Sequence, residues 1–260
     1  MNRRSGSTGD KLLPAGALCL LILVWWGLSA SGLVPGYMLP SPADVFSAFI
    51  RDFPVLLSHA GVSLSEAACG LGIGMLLAFA LACAMDRFEL LEKAGLPLLV
   101  ITQTIPTVAI APLLVLWMGF GMEPKITLVV ITTFFPIAIG LLDGFKRADP
   151  DAIALLKSMN ATRGQIFRHV KLPAALPHFF SGLRVSASYA VVGAVISEWL
   201  GGFEGLGVYM TRARKAYAFD KMFAVIFLVV IVSLVLMRLV TLLRTVSMPW
   251  MGKAKKEREA

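Results

Sequence analysis

Long apolar stretches separated by short charged segments dominate this chain. A helix needs about 20 apolar residues to cross the hydrocarbon core of a membrane, and six stretches reach or approach that length. In a bilayer each span must satisfy its own backbone hydrogen bonds, so the pattern predicts an all-α integral membrane protein with six transmembrane helices. The predicted spans are 12–33, 62–85, 96–117, 126–142, 180–200 and 222–243.

The first stretch, Leu12 to Leu33, has two interpretations. Arg3, Arg4 and Lys11 precede it and small residues lie near its end, as in a secretory signal peptide. The apolar run is long for the hydrophobic region of such a peptide, which favours a retained membrane anchor.

Glycines and prolines inside the spans predict where helices pack closely or bend. Gly70 and Gly74 lie one turn apart in the second span, which lets a neighbouring helix approach. Proline removes a backbone hydrogen bond and is tolerated in a span that packs against protein or a cavity. Pro106 and Pro112 occur in the third span and Pro136 in the fourth.

Composition and charge agree with a membrane protein. Hydrophobic residues make up 57% of the chain and charged residues 15%, which excludes an ordinary soluble domain. The net charge is +8, and most of the basic residues that produce it lie between the spans and not along one face that could bind nucleic acid. With the N-terminus in the cytoplasm most basic residues fall on the cytoplasmic side, as the positive-inside rule requires, so both termini are predicted to be cytoplasmic. The predicted organisation is a tail at 1–11, a transmembrane domain at 12–246 with a long cytoplasmic loop at 144–178, and a basic tail at 247–260.

The loop at 144–178 is predicted to form a short helix–turn–helix. Asp149 and Pro150 are suited to begin a helix, and Asn160 tolerates the left-handed conformation that ends one. Thr162 and Gln165 form a capping box for a second helix, which Pro173 is expected to stop. Both helices carry an apolar face, which needs a surface to cover it, either on the membrane domain or on a partner.

The segment ALLKSMNATRGQIFRHVKLPAALP resembles the EAA loop of ABC importer permeases, the binding-protein-dependent inner-membrane component family. That loop has Glu-Ala-Ala, three residues, Gly, nine residues, Ile, one residue and Leu-Pro. When the two are aligned on Leu172-Pro173, Val170 occupies the position of the motif's Ile and Asn160 that of its Gly. Residues 154–156 occupy the positions of Glu-Ala-Ala, so the motif's acidic residue is missing from this chain. The similarity extends from LPSPADVFSAF through TQTIPTVAIAPLLVLWMGFG to SEWLGGFEGLGVYM.

The resemblance implies a type I permease fold whose elbow is a coupling helix seated in a groove of a cytoplasmic ATPase. The chain has no GxxxxGK[ST] phosphate loop, so ATP and Mg²⁺ are expected on that partner and no cofactor on this chain. An extracytoplasmic substrate-binding protein and a second permease copy are the other expected partners, in the bacterial inner membrane. The residues implied in coupling are Ala154, Leu155, Leu156, Asn160, Ala161, Arg163, Gly164, Val170, Leu172 and Pro173.

Polar residues within spans are costly and usually face protein or water. Gln103, Thr104 and Thr107 crowd around Pro106 and are candidates for the translocation path. Alternatively, the threonine hydroxyls bond to carbonyls of their own helix and Gln103 bridges two helices. Glu198, near the outer end of the fifth span, is expected either to contact the incoming solute or its binding protein, or to pair with Arg212 or Arg214 at the interface.

Two other protein classes are less consistent with the sequence. An intramembrane enzyme needs a nucleophile and base or metal ligands at membrane depth, and no such catalytic or metal set is found. An ion-coupled carrier usually has internal repeats and more than six spans. Within the importer family, SEWLGGFEGLGVYM and the segment after it resemble the members that import pyrimidine precursors of thiamine (hydroxymethylpyrimidine type); aliphatic sulfonate, taurine and nitrate are the alternatives.

Overall fold

The computed structural model describes residues 8–249, and every regular element in that range is helical. Residues 1–7 and 250–260, which hold most of both predicted tails, lie outside the described residues. The helices are α1 (Thr8–Ala30), α2 (Pro42–Arg51), α3 (Phe53–Arg87), α4 (Glu89–Thr104), α5 (Thr107–Met118), α6 (Glu123–Lys146), α7 (Pro150–Ser158), α8 (Arg163–Ile166), a π-helical turn (Phe167–Lys171), α9 (Leu172–Leu200), α10 (Leu206–Lys215) and α11 (Phe219–Ser247).

Five helical stretches among the described residues are long and apolar enough to cross a membrane, and a bent pair brings the number to six. The predicted all-α membrane fold is therefore confirmed. The stretches are Leu13–Ala30, Phe53–Arg87, Glu123–Lys146, Arg163–Leu200 and Phe219–Ser247, and the pair is α4 with α5.

The third predicted span, 96–117, is not one straight helix. α4 and α5 meet at an angle of 93°. Ile105 has an extended backbone (ψ 121°) because the ring of the following Pro106 disfavours the helical conformation at the residue before it. Pro106 also lacks the N–H that would continue the hydrogen-bond ladder. The third span is therefore a bent pair of helices, with its bend at Pro106, one of the two prolines that predict a bend in this span.

The described chain divides into two compact units, the first of which contains α1, α2 and residues Tyr209–Leu228. The indole N–H of Trp25 donates to the carbonyl of Pro40 (3.1 Å). The carboxylate of Asp52, which follows α2, accepts hydrogen bonds from Tyr209 (2.6 Å) and Lys221 (2.8 Å). The first contact joins α1 to the segment before α2, and the contacts of Asp52 join the end of α2 to α10 and the start of α11.

The second unit comprises His59–Val208 and the chain from Val229, and its core lies between α6 and α9. A side chain at Gly70 would meet Val129 at 2.5 Å, and one at Gly74 would meet the hydroxyl of Thr133 at 2.5 Å. These two α3 glycines therefore let α6 approach closely, as their spacing predicts. Buried apolar residues that form the core include Leu71, Ile137, Leu141, Phe180, Ala187, Ala190 and Ala194.

Candidate functional site

The elbow between α7 and α8 has the geometry that the sequence predicts. The Asp149 side chain caps α7 by accepting from the backbone N–H of Asp151 (2.9 Å). Asn160 has a φ of +56°, and the N–H of Ala161 donates to the carbonyl of Leu156, the pattern that closes a helix with a left-handed residue. Thr162 caps α8, with its N–H bonded to Gln165 Oε1 at 2.7 Å.

Pro173 does not stop the second helix of the elbow, contrary to the prediction. The chain passes from α8 through the π-helical turn into α9 without a break. In that turn the N–H of Leu172 donates to the carbonyl of Phe167, five residues back. The wider turn lies just before Pro173 and accommodates a residue that has no N–H and whose ring would crowd a regular helix. The elbow is consequently continuous with the spanning helix α9.

The elbow exposes apolar side chains. Leu155 is 62% exposed and Met159 is 68% exposed, whereas Ile166 is buried. An added side chain at Gly164 would meet nothing within 4 Å. Of the ten residues implied in coupling, half are exposed and the others are half-buried. The exposed ones are Ala154, Leu155, Asn160, Arg163 and Gly164, and the half-buried ones are Leu156, Ala161, Val170, Leu172 and Pro173.

A cavity of about 720 Å³ lies between the elbow and the end of α3. Its charged lining is mostly basic, with Arg87, Lys157 and Arg163 beside an ion pair between Lys171 and Asp86 (2.7 Å). The elbow therefore presents an apolar tip with a basic groove behind it.

Asn160 provides a direct test of the elbow geometry. We expect Asn160→Val to destabilise the elbow by about 1–2 kcal/mol, because a side chain branched at Cβ is strained at positive φ. Asn160→Gly should leave it unchanged or slightly more stable. Hydrogen exchange of the backbone amides in 150–166 would measure the difference. Ser158→Val, at an exposed position with helical backbone, is the control, and wild-type exchange in Asn160→Val would contradict the assignment.

The polar residues of the third span lie at the bend between α4 and α5. Gln103 and Thr104 are exposed and Thr107 is half-buried. The hydroxyl of Thr104 donates to the carbonyl of Ile101 (2.8 Å), and that of Thr102 to Leu99 (2.7 Å), as the structural alternative expected. The amide of Gln103 is the longest polar side chain exposed at this bend.

Glu198 lies elsewhere and is buried, with only 1% of the residue exposed. Its carboxylate accepts from the hydroxyl of Ser63 (2.5 Å) and from the N–H of Gly207 (2.5 Å). Ser63 in turn accepts from the N–H of Leu206 (2.8 Å). Glu198 is thus an internal anchor for the segment that follows α9 and not the accessible interfacial carboxylate that the sequence suggested.

A second carboxylate, that of Glu66, is also buried. Glu66 is fully buried in α3, and its Oε1 forms an ion pair with Lys125 Nζ of α6 at 2.7 Å. Lys125 is itself 5% exposed, and Glu66 Oε2 has no hydrogen-bond partner among the described residues. A carboxylate within an otherwise apolar span was the signal that could have predicted a partner for Glu66.

The segment between α9 and α10, residues 201–205, is shaped by glycines. Gly205 has a φ of +124°, which favours glycine, and its N–H donates to His59 Nδ1 at 2.9 Å. Gly202 has a φ of +149°, and a side chain there would meet Lys125 Nζ at 3.0 Å. The glycine-rich sequence therefore packs this segment directly onto the buried charges, as the predicted tight turns allow.

Comparison with known proteins gives one family. Residues 70–246 match the family described as binding-protein-dependent transport system inner membrane component. The formylaminopyrimidine transport permease protein ThiX of Halalkalibacterium halodurans is 34% identical over 90% of this chain and 94% of the relative. The riboflavin transport system permease protein RibX of Chloroflexus aurantiacus is 33% identical over 89% of this chain and 87% of the relative.

A solved structure gives the same fold. The crystal structure of an amino acid ABC transporter with histidines superposes with a TM-score of 0.63, covering 76% of this chain and 97% of that chain. The two chains share 16% sequence identity, so this similarity concerns the fold alone.

Proposed function

Because this chain belongs to the binding-protein-dependent transport system inner membrane component family, it is the permease subunit of an ABC importer, and we propose that it imports a small planar nitrogen heterocycle. It is a multi-pass inner-membrane protein and a transport subunit rather than an enzyme. The best substrate candidate is a pyrimidine precursor of thiamine. Aliphatic sulfonate, taurine and nitrate are the alternatives.

The exposed elbow is the observation that carries the coupling part of the proposal. Leu155 and Met159 expose apolar surface on a segment outside the long apolar spans, and exposed apolar surface of this kind needs a partner. The chain contains no phosphate loop, so the energy for transport is supplied by a separate ATPase that binds ATP and Mg²⁺. We assign the elbow as the ATPase docking site. Its rigid continuity with α9 transmits movement of the ATPase to a spanning helix.

The family makes an extracytoplasmic binding protein the second partner. We propose that two copies of this chain surround one pathway and that both termini lie in the cytoplasm. The excess of basic residues in the loops on that side supports the orientation.

The substrate proposal rests on chemistry shared by two relatives. ThiX is named for a formylaminopyrimidine and RibX for riboflavin, and both compounds contain a pyrimidine ring. We propose that Gln103, Thr104 and Thr107, at the bend between α4 and α5, line the pathway. An amide and hydroxyls can form hydrogen bonds with a neutral heterocycle. The sequence has no Asp, Glu, Lys or Arg between Lys93 and Glu123, so this part of the chain offers no charged group to pair with an ionic solute.

Vesicles that contain the permease, its ATPase and its binding protein would test the function. We expect uptake of labelled hydroxymethylpyrimidine or formylaminopyrimidine that requires ATP inside and binding protein outside. Uptake by the permease alone would contradict the importer assignment. Uptake of taurine, sulfonate or nitrate in place of the pyrimidines would overturn the substrate proposal and leave the importer assignment intact.

A further inference from the structure

A small basic cavity opens between α9 and α11, away from the elbow and the α4–α5 bend. Its volume is about 150 Å³. Among the residues that the structure describes, the charged groups that line it are two arginines, one from each helix. The lining residues are Phe180, Ser181, Arg184, Val240, Thr241 and Arg244.

The two arginines have no carboxylate partner among the residues that the structure describes, since neither Arg184 nor Arg244 takes part in an ion pair there. The hydroxyl of Ser181 donates to the carbonyl of Pro177 (2.9 Å), and that of Thr241 to the carbonyl of Met237 (2.8 Å). Both hydroxyl protons are therefore donated to backbone carbonyls and are not available to a bound anion. Any anion in the cavity would be bound through the two guanidinium groups, each of which presents five N–H donors in a planar fork.

With Leu200 taken as one boundary of the hydrocarbon core, helix length places the cavity near the opposite headgroup region. Sixteen residues separate Arg184 from Leu200 at the far end of α9, about 24 Å at 1.5 Å per residue. The hydrocarbon core is about 30 Å thick, so Arg184 reaches the boundary opposite Leu200 by extending its side chain. Exposed apolar residues that could contact acyl chains are next to the lining residues in sequence: Val185 is 47% exposed, Leu242 60% and Leu243 57%.

We propose that this cavity binds the phosphate of an anionic phospholipid from the cytoplasmic leaflet. Basic pockets between transmembrane helices on the cytoplasmic side are suited to such headgroups. The two guanidiniums hold the phosphate oxygens through charge-assisted hydrogen bonds, and the exposed leucines of α11 contact the tails. A bound headgroup joins α9, the helix continuous with the elbow, to α11. This proposal does not depend on the transported solute.

Native mass spectrometry of the purified full-length chain, titrated with phosphatidylglycerol or phosphatidylcholine, would test the site. We expect preferential binding of phosphatidylglycerol that weakens about 30-fold in Arg184→Gln/Arg244→Gln, since each basic residue contributes about fivefold. Arg184→Lys/Arg244→Lys should bind with intermediate affinity, because the charges remain and the planar forks are lost. Arg238→Gln is the matched control, because Arg238 is an exposed arginine of α11 that does not line the cavity.

Three results would overturn the proposal. The glutamine double variant, shown to be folded by an unchanged gel-filtration profile and helical circular dichroism, could bind phosphatidylglycerol as the wild type does. Arg238→Gln could lose as much affinity, which would indicate a diffuse charge effect. Glycerol 3-phosphate could displace the lipid at equal concentration, which would assign the cavity to a soluble phosphate.

Discussion

Lys125→Met is expected to lower the free energy of unfolding by about 3–5 kcal/mol, the cost of breaking a buried ion pair from one side. The substitution leaves the Glu66 carboxylate without its cation in α3, where it is fully buried and has one oxygen already unpaired. Methionine has a similar volume, so the loss of charge dominates the effect. Chemical denaturation in detergent micelles, followed by circular dichroism, would measure the difference.

The double variant Glu66→Gln/Lys125→Met separates charge from packing. It should recover more than half of the lost stability, because neither charge of the Glu66–Lys125 pair remains to be left unpaired. Lys93→Met is the control, since Lys93 pairs with Glu89 at 2.7 Å but both side chains are more than 70% exposed. Such a surface pair contributes about 0–1 kcal/mol. Equal effects of Lys125→Met and Lys93→Met would exclude a stabilising role for the buried pair.

Gly164→Trp is expected to reduce ATP-driven uptake at least 100-fold without reducing the amount of folded permease in the membrane. Inside this chain a Cβ added at Gly164 would meet nothing within 4 Å, so the backbone at this exposed position can carry a side chain. Gly164 lines the basic groove behind the apolar tip of the elbow, so the indole would obstruct an ATPase that docks on the elbow. Uptake into vesicles and co-purification of the ATPase would be measured together.

Gly61→Trp is the matched control for Gly164→Trp. Gly61 is also an exposed helical glycine at which an added Cβ would meet nothing within 4 Å, but it belongs to α3 and not to the elbow. It should leave both uptake and ATPase retention near wild-type values. Normal uptake in Gly164→Trp, or an equal loss in Gly61→Trp, would contradict the docking role of the elbow.

The elbow was the part of the site most accessible to sequence reasoning. Its helix ends depend on neighbours a few residues apart, such as Asp149 with Asp151 and Thr162 with Gln165, so local sequence contains the information. The outcome at Pro173 was different. A proline usually ends a regular helix, and only the wider π-helical turn before it lets the chain continue.

The buried polar cluster depended on contacts between distant parts of the chain. Glu66 and Lys125 are 59 residues apart, and Ser63 and Glu198 are 135 apart. Taken singly, each of the three charged side chains is compatible with a position at the membrane interface, because a long polar side chain near a helix end can reach water. Only helix packing decides that these groups face each other in the protein interior.

The sequence by itself determined the membrane class, the approximate spans, the caps of the elbow and the close approach at Gly70 and Gly74, because hydropathy, periodicity and capping are local properties. Tertiary structure alone decided the angle between α4 and α5, the exposure of Leu155 and Met159, and the burial of Glu66 with Lys125. These features depend on which helix surfaces meet, and hydropathy does not distinguish a helix face turned to lipid from one turned to another helix.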